Sequence, residues 1–368
     1  MEQARHPRMH PRCTDERRRA GLRRERVTGS AQFKGGRFAN PSGVMPGFDG
    51  PTLPVMAEFL FKRGRRFPDG PLPIESPLAG WQRPADTGLR ATWLGHSTVL
   101  LELDGRRVLT DPVFGKRASP LRFMGPRRFH PTPVTLAELP PLDAVLLSHD
   151  HYDHLCRDTM TALARMRVPI ATALGVGAHL ERFGVDPALV TELDWGEHAD
   201  VGGLRFCATP SQHFSGRKLG DRNSTLWASW VIAGDRHRVF FSGDTGLTPQ
   251  FEEIGRRHGP FDLVMLEVGA FHPAWGTIHL GPDNALSALA MLGGGPLLPV
   301  HWGTFNLALH DWDEPAETLV TLAAERGARV LTPRLGAAFE PALVDGPSPG
   351  WREVGRGAEA LVVAPREV

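Results

Sequence analysis

From Ala91 onward the chain alternates short apolar runs with polar turns. The runs "ATWLG", "STVLLEL" and "RRVLT" have strand length, and "LDGRR" between the last two is a hairpin signal. "DAVLLS" (143–148) is nearly all apolar and predicts a buried strand. "CRDTMTALARMR" then changes to helical periodicity, "PIATA" returns to a strand, and "VGAHLERFG" predicts a short helix closed by Gly184. The second half repeats the theme. "GLRFCATP", "TLWASWVIAG" and "HRVFFSGD" read as strands, followed by helix "PQFEEIGRRHG", strand "DLVMLEVG", helix "PDNALSALAML" and strand "PLLPVH". "EPAETLVTLAAERG" is the last helix and "ARVLTP" the last strand. Strands that cluster and then alternate with helices, twice over, predict two mixed sheets packed face to face with helices outside. The expected fold class is therefore α/β, an αββα sandwich over residues 91–345.

The flanks follow other patterns. Residues 31–90 are rich in Gly and Pro and read as an irregular wrap, with one helix near "VMAEFLFKR" (55–63). Its apolar part is a candidate cover for a site or a lipid contact. The first 26 residues carry many arginines and almost no large apolar side chains. They predict a disordered basic tail over residues 1–30, or else a tether to an anionic surface. Residues 346–368 read as a C-terminal tail.

Composition narrows the function classes. At 368 residues and 41% hydrophobic, the chain can bury a sizeable core. A net charge of +1 argues against nucleic acid as the partner of the folded body. No apolar run approaches the roughly 18 residues of a membrane span, and the N-terminus lacks a signal-peptide pattern. Cys13, Cys156 and Cys207 are far apart, so no disulfide framework is expected and a cytoplasmic setting fits.

The chemistry concentrates in "SHDHYDHL" (148–155). His149, His151, Asp153 and His154 follow a strand end, and a tight loop there lets their side chains converge. Three more polar residues end apolar strands: His213 in "TPSQHFSG", Asp244 in "FFSGDTG" and His301 in "LLPVHWGTF". The carboxyl end of a strand is where an open sheet presents ligands. Five histidines and two aspartates exceed the four ligands of one tetrahedral metal, so the count implies two metals. Imidazole with carboxylate suits zinc, with iron or manganese as alternatives. The expected division places His149, His151 and His213 on one metal and Asp153, His154 and His301 on the other. Asp244 would bridge, and a water held between the cations would supply hydroxide near neutral pH.

Around this set, His96 in "WLGHST" either lines the site floor or is a buried histidine. Asp111 in "LTDP" either accepts a hydrogen bond from a ligand histidine or starts a turn. Tyr152 is expected to pack against a ligand. Trp275, Trp302 and Phe305 form either an apolar rim for substrate or aromatic core.

These motifs resemble the metallo-β-lactamase superfamily, whose hallmark is H-x-H-x-D-H with later His, Asp and His. "RFANP", "WLGHSTVLLELDGRRVLTDPVF", "RFHPTPVTLAELPPLDAVLLSHDHYDHL", "ELDWGE", "TPSQHFSGR", "FFSGDTG", "FEEIGRRHGPFDL" and "HWGTF" are similar to its N-acyl-phosphatidylethanolamine-hydrolysing phospholipase D branch. The resemblance implies a zinc-dependent phosphodiesterase that yields phosphatidic acid and an N-acylethanolamine, or the alcohol of a related phospholipid. Transient contact with a membrane surface, peripheral at its inner face, and a homodimer are further expectations. One segment departs. Where the mammalian-type enzyme has Tyr-Glu-Pro-Arg-Trp and then Gln-His, this chain has "FHPAWGTIHLGP", with Phe271, His272, Ala274 and Ile278 at the changed positions. His279 remains, to hold phosphate or protonate the leaving group, or as an ordinary loop histidine. Two alternatives stay open: a hydrolase of a small phosphorylated lactone or soluble ester, and a non-catalytic, metal-stabilised lipid- or partner-binding module. A redox di-iron role is disfavoured, because such sites carry Glu where His151 stands.

Overall fold

The computed structural model describes residues 11–43 and 64–354. Two mixed sheets dominate. The first has seven strands: β3 (Leu89–Gly95), β4 (Thr98–Leu103), β5 (Arg106–Thr110), β6 (Ala144–Leu147), β7 (Ile170–Ala173), β8 (Val190–Leu193) and, at its edge beside β3, β15 (Ala338–Phe339). Its early strands pair antiparallel and β5 to β8 pair parallel. The second has six: β9 (His198–Val201), β10 (Leu204–Thr209), β11 (Ser229–Ala233), β12 (Arg238–Phe241), β13 (Leu263–Glu267) and β14 (Leu297–Val300), again antiparallel first and parallel last. Every residue of β3, β4, β6, β13 and β14 is buried, as sandwiched strands covered on both faces must be. One continuous apolar core joins residues of both sheets, among them Leu100, Leu146, Phe206, Trp230 and Phe240.

Helices cover the sheets with one apolar stripe each. In α3 (Arg157–Met166) the buried residues are Thr159, Met160 and Leu163, one face of a 3.6-residue period. The helices α5 (Gln250–His258), α6 (Gly281–Met291) and α7 (Glu314–Arg326) follow the same logic. Gly327 ends α7 at φ 63°, a conformation that favours glycine.

Several expectations are corrected. Pro11–Gly29 is not a disordered tail but helix α1. Arg23 in α1 reaches Glu181 of α4 (Gly177–Arg182) and Glu192 of β8, each at 2.6 Å. Its acidic partners lie more than 150 residues away, so charge density alone read as solvation. Residues 1–10 lie outside the described residues, as does the helix expected over 55–63. The wrap contains a small hairpin, β1 (Phe33–Lys34) with β2 (Arg37–Phe38), and a short helix α2 (Leu78–Trp81). The C-terminal tail does not begin at 346. Trp351 is 6% exposed, packs edge-on against Trp302, and donates to Glu317 at 2.8 Å.

Two strands are shorter than their apolar runs. In "TLWASWVIAG" only Ser229–Ala233 pairs as a strand. Before it, Leu226 and Ala228 donate to Leu174 and Ser148 of the other sheet's strand ends, so those residues connect the sheets. "ARVLTP" makes a single ladder pair, Val330 with Leu297. The edge strand is β15 instead, which along with the polar strands β8 and β9 lacks an apolar run to announce it.

Candidate metal centre

β6 ends at Leu147, and the ligand loop turns at once. His154 and Leu155 both donate backbone N–H to the His151 carbonyl, at 3.1 and 2.8 Å. That tight turn gathers the four motif side chains. The other contributors also stand just past strand ends: His96 after β3, Asp111 after β5, His213 after β10, Asp244 after β12 and His301 after β14. His96, Asp111 and His301 have φ of 54°, 32° and 65°. Positive φ at non-glycine residues costs energy and gathers where function demands a direction.

Three overlapping ligand-capable groups result among the described residues, each with its donor atoms within 4.8 Å of one another; the third, Asp244, Glu267, His279 and His301, shares Asp244 and His301 with the other two. The first is His149, His151, His213 and Asp244. His149 Nε2 and His213 Nε2 face His151 Nδ1 at 2.9 and 3.2 Å. The second is His96, Asp153, His154 and His301, with Asp153 Oδ2 3.0 Å from His96, 3.2 Å from His301 and 3.5 Å from His154. Asp244 touches both. Its Oδ2 lies 3.2 Å from His301, 3.6 Å from His213 and 3.8 Å from His149, and its Oδ1 lies 3.1 Å from His154.

The hydrogen-bond network assigns the lone pairs. His154 Nδ1 lies 2.7 Å from Asp111 Oδ2 and donates to it. The same carboxylate accepts from the Ser148 N–H and hydroxyl, at 2.7 and 2.5 Å. With its proton so committed, the Ser148 hydroxyl accepts from His149 Nδ1 at 2.9 Å. His213 Nδ1 donates to the Ile278 carbonyl at 3.0 Å. With Nδ1 committed in each ring, the Nε2 atoms of His149, His154 and His213 face inward. His154 Nε2 and Asp244 Oδ1, 3.1 Å apart and buried, make no hydrogen bond to any other group. Acceptors crowded against acceptors need a cation, and this donor set fits zinc, iron or manganese.

Electrostatics point the same way. Burial pushes the His301 ring down, but the Asp244 charge and bonds to Asp153 and Asp244 outweigh it, raising its pKa to about 10. His154 likewise rises well above the usual histidine range against burial, through Asp244 and Asp153. Burial would raise the Asp153 and Asp244 carboxyls, yet the neighbouring His154 charge holds both well below the ordinary carboxylate range. Burial and then the His301 charge depress His96 to about 3. The carboxylates thus demand positive charge, which protons on His154 and His301 provide where metal does not.

The surroundings hold the loop. Tyr152, expected to pack against a ligand, is held by Arg217. Its hydroxyl donates to the Arg217 carbonyl at 2.8 Å, and the Arg217 guanidinium lies over its ring. Asn40, from "RFANP", clamps the His213 backbone from both sides, at 2.9 and 3.0 Å.

His279 stands at the rim, half-buried, with its ring 5.1 Å from His213 and stacked 5.4 Å from His301. Its Nδ1 lies 2.7 Å from Glu267 Oε2. Burial would lower this histidine, but the Glu267 charge raises it. Sequence reading missed Glu267, whose only signal is an acid ending the apolar run "LVMLE". Trp302 is core rather than exposed rim: it is 5% exposed, stacked on Trp93, with Nε1 donating to the Pro299 carbonyl. Phe305 is buried edge-on to His96. Trp275 is half-buried against His272 in the departing segment.

A family model described as a beta-lactamase superfamily domain matches residues 106–302, spanning the ligand loop, His213, Asp244 and His301. The chain belongs to the metallo-β-lactamase superfamily. It is a metal-dependent hydrolase of that group. It is 47% identical to an uncharacterised protein of Mycobacterium tuberculosis over 302 residues, 81% of this chain and 80% of the relative. It is 36% identical to N-acyl-phosphatidylethanolamine-hydrolyzing phospholipase D 1 of Caenorhabditis elegans over 271 residues, 70% of this chain and 76% of that one. Among solved structures, isothiocyanate hydrolase from Delia radicum gut bacteria superposes with a TM-score of 0.54 at 24% identity, over 68% of this chain and 98% of that one; this shows the superfamily fold. Among the described residues, no helix is long and apolar enough to cross a membrane.

Proposed function

We propose that the chain is a binuclear, zinc-type phosphodiesterase acting on N-acyl-phosphatidylethanolamine or a related phospholipid. The observation that carries the binuclear reading is Asp244, whose two oxygens reach both imidazole groups. His149, His151 and His213 would hold one cation, and Asp153, His154 and His301 the other, with His96 in the second group as a further donor. Two cations there would supply Lewis acidity for the phosphate oxygens and make a water between them acidic enough to ionise near neutrality. The chain's own residues do the rest. Asp111 keeps the His154 proton on Nδ1, so that Nε2 faces inward. Glu267 holds His279 protonated and oriented at the rim, where it can give its proton to the departing alkoxide. Phosphatidic acid keeps the phosphate, so the bond broken is the one from phosphorus to the ethanolamine oxygen, not the one to diacylglycerol.

The substrate class is supported by the activity named for the Caenorhabditis elegans relative. Purified protein with N-acyl-phosphatidylethanolamine should release phosphatidic acid, and His151→Ala should abolish that release together with bound metal. Release of product only from soluble phosphodiesters or lactones would move the function to the second reading. One observation favours that reading: the cleft beside His301, lined by Phe129, Phe305, Leu307 and Trp312, is narrow among the described residues.

A further inference from the structure

Ten large apolar side chains are exposed among the described residues, and three of them fall in one short arm. Leu121 is 38% exposed, Phe123 76% and Met124 59%. The arm is built, not loose. Arg117 and Arg127 pair antiparallel at its base. Ala118 donates to the Pro126 carbonyl and Arg128 to that of Lys116, both at 3.0 Å. Gly125 adopts φ 99°, and a side chain there would strike Ser119. The fold therefore holds an apolar tip in water, which costs free energy unless something covers it.

The charge around the tip says what covers it. Between Asp111 and Glu138 the sequence has five basic residues and no carboxylate, while the whole chain nets only +1. Lys116, Arg122 and Arg127 are exposed. Arg122 pairs with Asp158 at 3.1 Å, with both side chains largely in solvent, and exposed pairs of that kind exchange readily.

The position completes the case. Arg128, at the base, lies over the ring of Phe305, which in turn meets His96. Gly115 abuts the Sγ of Cys156, two residues past His154. A second apolar tip, the fully exposed Leu219, belongs to the loop of Arg217, whose guanidinium donates to the Leu155 carbonyl at 2.8 Å. Both loops are thus rooted on adjacent residues, Leu155 at the end of the ligand loop and Cys156 just past it.

We propose that the Leu121–Phe123–Met124 arm inserts into the headgroup layer of an anionic lipid bilayer, with its basic residues on the phosphates, and brings the metal centre to the membrane. The proposal rests on the phospholipid reading above for its purpose. Apolar insertion and basic attraction act together at such surfaces.

The test uses the full-length, metal-loaded chain and sedimentation with phosphatidylcholine vesicles, with and without phosphatidylglycerol. Wild-type protein should bind the anionic vesicles well above the neutral ones. Roughly 1 M salt, which shortens the Debye length to about 3 Å, should weaken binding. Phe123→Asp with Met124→Asp should lower the partition coefficient at least about tenfold and lower hydrolysis of vesicle lipid, while activity on detergent-dispersed lipid stays unchanged. In a Phe123→Trp variant, indole emission should shift to the blue on anionic vesicles. Equal binding to both vesicle types, or a double variant that binds as the wild type does, overturns the docking proposal even if phospholipid is cleaved. Vesicle binding that depends on Phe123 and Met124, in a protein that cleaves no phospholipid, upholds docking and overturns the substrate reading.

Discussion

At the scale of single residues, the centre depends on where protons sit. Asp111 is the anchor, because it commits the His154 proton and the Ser148 hydroxyl, and through them the His149 tautomer. Asp111→Asn removes the charged acceptor and should weaken metal affinity about 10- to 100-fold, measured by competition with a chromogenic chelator. Wild-type affinity in that variant would show that the ligand rings need no such anchor. Glu267→Gln should leave metal content near wild type but lower kcat by about 10²-fold or more, the usual scale of a lost general acid. Metal loss in parallel with activity would make Glu267 part of the ligand support instead. The ligand histidines were legible because their spacing in "SHDHYDHL" is improbable by chance and strand ends bring side chains together. Glu267 was not, because an acid after an apolar run looks like any strand boundary. His96 was legible only as part of a site floor. Its approach to Asp153 depends on a positive φ and on the Thr304 hydroxyl that accepts its N–H at 2.7 Å, a contact 208 residues away in the chain.

At the scale of elements, periodicity located nearly every core strand and helix, because burial writes itself into apolar spacing. It failed where pairing and burial part company. Residues 225–228 are as apolar as a strand but serve as the bridge between sheets. Helix α1 is the opposite case: its sequence is polar, and it docks through charge. Arg23 is largely buried between Glu181 and Glu192. Arg23→Ala should leave two carboxylates without their partner, cost about 1–2 kcal/mol, and expose α1 to proteolysis before the sandwich unfolds. Limited proteolysis with mass spectrometry reads this out; cleavage at wild-type rate would show that α1 is held by other contacts.

At the scale of the molecule, two half-sandwiches share one core and one centre, and the edge strand β15 closes the first sheet. Glu340 follows that strand and ties it to the segment before β3. It accepts from the Thr87 and Asp86 N–H groups at 2.7 and 2.9 Å and from Arg90 at 3.1 Å. Burial alone would raise its carboxyl, but these donors, led by the Thr87 N–H, hold it below the ordinary value of 4.5. A depressed folded pKa contributes stability that is present above the unfolded value and lost as pH falls through the folded one. Glu340→Gln should therefore lower stability by about 2 kcal/mol near neutrality, and the gap from wild type should close below about pH 4.5. Urea unfolding across that range measures it, and a gap independent of pH would contradict the assignment.

The central claim is that one carboxylate, Asp244, joins two metal sites. Its most direct test is metal content by plasma mass spectrometry on the purified, zinc-loaded wild type and Asp244→Ala. The account predicts two equivalents per chain in the wild type and a loss of at least one in the variant, with both proteins folded by circular dichroism. One equivalent in the wild type, unchanged in Asp244→Ala, would contradict it.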